Sequence, residues 1–374
     1  MNNIIIKEAD SHKLLKKYVK FPFSLYKGHP YWIPPLISDE LSIFNKKINP
    51  AFDNAEAHFY LALKKGKIVG RIAAIINWDE VNKAGKKKIR FGWWDVVDDI
   101  EVTKVLIEKV FELGRKHQLE YAEGPMGFSN LNKVGVLTEG FDRMGNTATW
   151  YNYPYYKVHL EQLGFVKEKE FHESRFSFDG VNPESFMRIQ TIIKERHGLR
   201  AVNFKKSKEI IPYVDKMFDL FNRTYAKLSS FVPVTERQKK YFKKKYIPFI
   251  NPEYVKFVED KNGKLIAFSI VLPEFSEALR KSKGKLFPFG FYYFMHAKKH
   301  SKEVSFYLIG VEPEYQNKGV TAIIFSEYYK VFKEKGIESC IRTPELEENY
   351  AIHNLWKNFN SVVDRRRRTY KKDL

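Results

Sequence analysis

The 374-residue chain has a single cysteine, Cys340. That excludes an internal disulfide and leaves no second thiol for a zinc or redox pair, so the fold rests on packing alone. Long apolar runs are also missing. No stretch reaches the length needed to span a bilayer, and the opening MNNIIIKEADSHKLLKKYVKF lacks the basic start and apolar core of a signal peptide. A cytoplasmic protein without a transmembrane segment is expected. The ten histidines show no H-E-x-x-H or related spacing, so no metal is expected, and the lack of a G-x-S-x-G elbow argues against a serine hydrolase. Acidic residues are the scarcer charge, 45 against 65 Lys and Arg, giving a formal +20. A field of that sign favours an anionic partner: nucleic acid, anionic membrane or a phosphorylated small molecule.

At 44% apolar and 16% aromatic the chain can bury a large core, and its length suits two domains. Asn182-Pro183-Glu184 through His197-Gly198 reads as a helix, with Asn182 capping it, Pro183 at its first position and Gly198 stopping it. Either side of it the same order of elements recurs. The hairpin FYLALKKGKIVGRIAAIIN turns at Gly66 and VKFVEDKNGKLIAFSIVLP turns at Gly263, an offset of 263 − 66 = 197. Gly164 and Asn360 precede the two closing segments at an offset of 360 − 164 = 196. Two offsets agreeing within one residue indicate an internal repeat. The expected lobes are residues 1–180 and 199–374, joined by a linker helix over 181–198. Each is read as an N-terminal strand (Asn3 to Lys7; Arg200 to Phe204), amphipathic helices, an antiparallel pair, then strand, helix, strand, helix and closing strand. The expected fold class is α+β, a mixed α/β arrangement with mostly antiparallel sheets.

The informative stretch is SFYLIGVEPEYQNKGVTAIIFSEYYKVFKEKG, from Ser305 to Gly336. An apolar strand, Val304 to Val311, meets a turn at Pro313. Gln316, Asn317, Lys318, Gly319, Val320 and Thr321 then open an amphipathic helix to Lys335. A turn feeding a helix N-terminus offers unpaired N–H groups and the positive end of the helix dipole, a site for phosphate. Gly319 permits close approach, and Gln316 and Lys318 can add a donor and a charge.

Gln316-x-x-Gly319-x-Thr321 after this strand resembles the pyrophosphate signature Q/R-x-x-G-x-G/A of the GNAT acetyltransferase superfamily. The resemblance implies that backbone amides of residues 316 to 322, ending at Ala322, hold the pyrophosphate of acetyl-CoA. It also implies that Leu308, Ile309, Gly310 and Val311 pair with the pantetheine arm. Thr321 departs from the final Gly or Ala. Downstream, Asn349, Ile352, Trp356, Asn360 and Ser361 keep the register of the GNAT helix N-x-x-A-x-x-x-Y-x-x-x-G-F, which implies a cofactor contact for Asn349. Trp356 replaces the tyrosine that would protonate the thiolate, so core packing is expected of it, with the thiolate leaving unaided as CoA-S⁻. The first lobe has Asp98-Asp99-Ile100-Glu101 where the phosphate turn would be, and acid there repels a pyrophosphate; it reads as a degenerate copy. FPFSLYKGHPYWIPP from Phe21 to Pro35, Glu139-Gly140-Phe141-Asp142 and the second-lobe motif are similar to a bacterial family of tandem GNAT-like proteins.

In GNAT folds the acceptor lies against the loop between the first two helices, here residues 225–235, so Tyr225, Phe231 and Thr235 are candidate acceptor contacts. An amine must lose a proton to attack a thioester, and Glu312, Glu345 and Glu347 are the carboxylates nearest the expected reaction centre. The Gly- and Asn-rich loop 124–142 could cover an acceptor, with Asn130, Asn132 and Tyr151 to Tyr156 as polar contacts; a structural turn is the simpler expectation. Two more segments stand out. Asp364 to Arg368 is read as a solvated end strand, with binding of the CoA 3′-phosphate as the alternative. The aromatic run at 287–294, flanked by lysines, fits a membrane contact or, as expected, a helix packing on the core. The leading expectation is an N-acetyltransferase moving an acyl group from CoA to the amine of a small molecule or peptide by direct attack, without a stable nucleic-acid complex, as a monomer or homodimer. The alternatives are an aminoacyl-tRNA-dependent transferase of Fem type and an inactive acyl-CoA-binding regulator.

Overall fold

The two glycine hairpins form where the sequence puts them. In the computed structural model, which describes residues 4–228 and 231–374, Gly66 and Gly263 both take φ of 76°, the left-handed geometry a tight strand connection needs. Gly164 (φ 80°) and Asn360 (φ 48°) repeat the device before the two closing strands. Asn3, Ser229 and Ser230 lie outside the described residues.

The first half contains β1 (Ile4–Glu8), α1 (His12–Leu25), α2 (Ile37–Ile43), β2 (Ala55–Lys64), β3 (Lys67–Asn77), α3 (Trp78–Asn82), β4 (Lys88–Val96), α4 (Ile100–Lys116), β5 (Tyr121–Gly124), β6 (Val136–Glu139), α5 (Tyr155–Gln162) and β7 (Val166–Ser177). There follow α6 (Glu184–His197), β8 (Arg200–Asn203), α7 (Ser207–Ile210), α8 (Val214–Tyr225), α9 (Glu236–Tyr246), β9 (Val255–Glu259) and β10 (Leu265–Pro273). The chain ends with α10 (Ser276–Ser282), α11 (Gly290–His300), β11 (Glu303–Val311), α12 (Thr321–Lys335), β12 (Ser339–Leu346), α13 (Tyr350–Leu355) and β13 (Val362–Asp373). The mixed α/β reading with mostly antiparallel sheets holds: among the strand pairs with a described register, β4 with β5 and β11 with β12 are parallel and the rest antiparallel.

Two compact units result. The first comprises residues up to His172, Leu279–Gly290 and Asp364–Leu374; the second comprises Glu173–Ala278 and Phe291–Val363. The expected limits of 1–180, 181–198 and 199–374 follow chain order, and the units do not. The chain leaves the first unit inside β7, and the C-terminal strand belongs to the first unit because β13 pairs antiparallel with β5, Tyr370 opposite Gly124, and with β6. This also corrects the solvated-strand reading of Asp364 to Arg368. Alternation holds, but Arg365 and Arg367 are each only 1% exposed. Their guanidinium groups donate to the carbonyls of Met144 and Gly135, while Arg368 pairs with Glu170 and Arg366 with Glu139. These are internal contacts of the first unit, not a CoA 3′-phosphate site.

The second unit's core lies between the sheet and α12, which buries Ile323, Ile324, Phe325, Tyr328 and Phe332 against Phe306, Trp356 and Phe359. Each such side chain contributes about 1.5–3 kcal/mol on burial. Helix α6 lies in this unit: Asn182 accepts the Glu184 N–H at 3.0 Å and Gly198 ends the helix at φ 60°. Helix α13 stops at Leu355 and the chain continues as a short 3-10 turn, Lys357–Phe359, so that Trp356 and Phe359 both enter the core.

Candidate functional site

The site begins where β11 and β12 separate. They run parallel with Glu303 opposite Ser339, and the pairing ends at Phe306 opposite Arg342. Beyond it Thr343 Oγ1 donates to the Phe306 carbonyl at 3.0 Å, and β11 continues to Val311 paired only with β10, its register shifted at Ile270/Val271. The residues expected to face a pantetheine arm, Leu308 to Val311, therefore lie on a strand with one edge free of β12. Tyr225 Oη uses one acceptor there, donating to the Ile309 carbonyl at 3.0 Å.

The turn from Glu312 to Val320 follows. Asn317 (φ 63°) and Gly319 (φ 76°) are left-handed, and α12 opens with no side-chain cap. The N–H groups of Asn317, Gly319, Val320 and Thr321 donate to no acceptor among the described residues. Gln316, Asn317 and Lys318 are exposed, and Ala322 is buried at the foot of the helix. An amide-lined turn whose open N–H groups are taken by no described carboxylate suits an anionic ligand such as phosphate. Two expectations change here. The Gln316 side chain is no free donor: Nε2 binds the Val311 carbonyl at 3.0 Å and ties the turn to β11. A Cβ on Gly319 would lie 3.2 Å from Ile189 and 3.3 Å from Ile193, so this glycine also lets the turn pack on α6.

The three candidate bases separate clearly. Glu312 is buried and accepts a bidentate pair from Arg223, Nε to Oε1 at 3.0 Å and Nη2 to Oε2 at 2.8 Å, tying α8 to the end of β11. Glu347 is exposed, and its carbonyl receives the His353 ring at 3.1 Å. Glu345 sits in a cluster. Trp356 Nε1 donates to its Oε1 at 3.0 Å, Arg342 Nε does so at 3.2 Å, Arg342 Nη2 pairs with Oε2, and His353 Nδ1 stands 3.8 Å away. Burial raises its pKa despite the lowering by Arg342, His353 and Trp356. Tyr225 and Tyr307 share this environment: burial raises both, Tyr225 to about 12, with added repulsion from Glu345 and Tyr307. Trp356 is 3% exposed and packs in the core as expected, yet its indole N–H also holds the carboxylate.

Two other candidates serve the fold. Asn349 caps α13, accepting the Ile352 N–H at 3.4 Å, and Thr235 caps α9 in a reciprocal box with Gln238. Phe231 stands 5.8 Å from Phe221, and Asn222 pins Val234 through both backbone groups. The loop 124–142 is organised within the first unit: it contains β6, Asn132 accepts the Ser129 N–H at 3.0 Å, and Asn152 accepts the Leu137 N–H at 2.7 Å. The sequence reading missed Arg342, Arg223, Tyr307 and His353: Arg223 lies 89 residues from its partner Glu312, whereas Arg342 meets Glu345 three residues on along β12.

No protein-family model matches the chain. It is 26% identical over 371 residues to Protein YghO of Escherichia coli, spanning 96% of this chain and 93% of that protein. It is 26% identical over 372 residues to a bacterial ceramide synthase of Caulobacter vibrioides, spanning 96% and 95%. Among solved structures, a tandem GNAT protein from the clavulanic acid biosynthesis pathway aligns over 99% of this chain and 98% of its own, with TM-score 0.59 at 10% identity. A GCN5-related N-acetyltransferase from Sphaerobacter thermophilus aligns over 99% and 95%, with TM-score 0.52 at 11% identity. The fold is thus the tandem fold of GNAT acetyltransferases.

Proposed function

We propose that the chain is an acyl-CoA-dependent N-acyltransferase with one working site, in the second unit. The observation that carries this reading is the conjunction of two features: a β11 edge left open beyond Phe306 and Arg342, and an amide-lined turn from Asn317 to Thr321 at its end. Acyl-CoA supplies the thioester. The turn amides hold its pyrophosphate, and the free edge of β11 orients the pantetheine arm. The acceptor amine attacks the thioester carbonyl, the C–N bond forms, and the C–S bond breaks with its electron pair on sulfur. Glu345 takes the ammonium proton, directly or through water; burial makes it a stronger base than an ordinary carboxylate. Tyr225 and Tyr307, held protonated at neutral pH, line the approach to the thioester. Arg342 and Trp356 position the carboxylate. The acceptor class is an amine whose product is an amide, in keeping with the ceramide synthase among the relatives, and a long-chain amine is the first acceptor to try.

Titration calorimetry with acetyl-CoA, longer acyl-CoAs and bulk tRNA, followed by assay of CoA release with a panel of amines, tests this reading. One equivalent of an acyl-CoA should bind, with turnover on at least one amine. No binding of any acyl-CoA would sink the proposal. Binding without turnover would favour a regulatory acyl-CoA-binding protein, and binding of tRNA alone the Fem-type alternative.

A further inference from the structure

The segment between α10 and the first turn of α11 is not used by the site. Four of the fifteen exposed large hydrophobic side chains among the described residues fall within six consecutive positions, and all four are aromatic: Phe287 at 73%, Phe289 at 69%, Phe291 at 48% and Tyr292 at 65%. This corrects the expectation that the run packs on the core. Only Phe294 does so, 5.5 Å from Phe275. Scattered surface apolar residues are ordinary, whereas a dense aromatic group marks a contact surface.

The base of the segment is fixed. The Ile37 N–H donates to the Gly284 carbonyl at 2.9 Å, and a Cβ on Gly284 would lie 2.5 Å from the Phe23 ring, so only glycine seats the backbone here. From this seat the chain presents Lys285, Phe287, Pro288 and Phe289 outward. Along the chain the charge has one sign: residues 278–290 hold Arg280, Lys281, Lys283 and Lys285 and no Asp or Glu. A second copy of a chain carrying +20 would be repelled from such a surface. No described helix is long and apolar enough to cross a membrane. Exposed phenylalanines flanked by lysines match a lipid interface, where rings enter the acyl boundary and ammonium groups stay with anionic headgroups.

We infer that the segment from Lys283 to Phe289 docks the protein on an anionic lipid surface, with Phe287 and Phe289 as the inserting side chains. The inference stands on this surface alone and holds whichever acceptor the acyl-transfer site takes. The test is co-sedimentation of the full chain with vesicles of phosphatidylcholine alone and of an equal mixture with phosphatidylglycerol. The wild type should bind the mixed vesicles, less so as salt rises, and leave neutral ones in solution. The Phe287→Ser/Phe289→Ser double variant should lose about tenfold or more in partitioning with unchanged circular dichroism and acyl-CoA affinity. As a second readout, the fluorescence that Phe287→Trp adds over wild type should shift to the blue on mixed vesicles and be quenched by brominated lipid. Failure of the wild type to bind mixed vesicles, equal binding by the double variant, or absence of quenching would overturn the inference. So would wild-type self-association in lipid-free solution that the double variant abolishes.

Discussion

The two units carry the same strand-turn-helix device, and they fill it differently. In the first, the turn after β4 ends in Asp99, whose carboxylate caps α4 by accepting the Glu101 N–H at 3.1 Å and also receives Lys64 at 2.8 Å. Lys64 and these backbone donors hold Asp99 below the ordinary carboxylate range. In the second, α12 has no side-chain cap and its first amides are open. The strands differ in the same sense. After β5 the first unit keeps running along β4, where the Met126 N–H donates to the Phe91 carbonyl at 2.7 Å. Its Gly92 and Gly124 would place a Cβ 2.2 Å from the Met126 carbonyl oxygen and 2.3 Å from that of Phe91. The groove that stays open between β11 and β12 is closed between β4 and β5 by backbone, so the first unit lacks both the uncapped turn and the open strand edge of the second.

The sharpest way to break this contrast is through the carboxylates of β5 and β12. Glu123 lies buried between Lys88 and Lys169, whose charges outweigh its burial and hold it down to about 2. Glu345 is pushed the other way by burial. Glu345→Gln should lower kcat by about 10²–10⁴-fold with acyl-CoA affinity unchanged. It should also remove the acid limb of the pH–rate profile, which in the wild type lies above the ordinary carboxylate value because a raised pKa leaves Glu345 protonated until higher pH. Glu123→Gln should cost stability and spare kcat of the folded fraction. Equal losses of turnover in the two variants would end the assignment of Glu345 as base. The next largest effect comes from giving the second unit the acid of the first: Thr321→Asp should weaken acyl-CoA binding about 100-fold while the helix itself tolerates the change. Unchanged affinity by calorimetry would mean the turn holds no phosphate.

Much of the scaffold could be read from the sequence because its signals are local. Gly66, Gly263, Gly164 and Asn360 each mark a left-handed turn, and the Pro183-to-Gly198 helix has its stop where expected. The left-handed turn at Gly319 was legible for the same reason, its geometry being set within a few residues. What sequence could not supply was pairing at a distance. Arg365 and Arg367 look like a solvated edge until β13 is known to lie beside β5. Glu312 looks like a free base until Arg223, 89 residues earlier, is found on it. The Arg342, Glu345 and Trp356 cluster joins a strand to a broken helix, and no periodicity predicts that contact.

A smaller effect tests the closed groove. Gly92→Ala sets a methyl against backbone that cannot rotate away, so β4 or the Met126 strand must shift, at a cost of about 2 kcal/mol in urea unfolding. Acyl-CoA stoichiometry should remain one per chain. A second equivalent bound by this variant would show that closure alone, without the acid cap, had silenced the first unit.

The smallest effect lies in how each unit tolerates a buried lysine. In the first, Lys88 is flanked by Glu123 at 2.7 Å and Glu80 at 3.1 Å. In the second, Lys256 is 2% exposed with a neutral partner, Asn203 Oδ1 at 2.7 Å. Burial lowers Lys256 from 10.5 to about 8. Between those two values the unfolded chain binds the lysine proton and the folded chain has released it, so stability attributable to Lys256 increases as pH rises through this window. The difference in unfolding free energy between wild type and Lys256→Met should therefore move in favour of wild type by about 1 kcal/mol per pH unit at most. Buried tyrosines titrate in both proteins and largely cancel in that difference. Parallel pH dependences for the two proteins would show that Lys256 keeps its ordinary proton affinity.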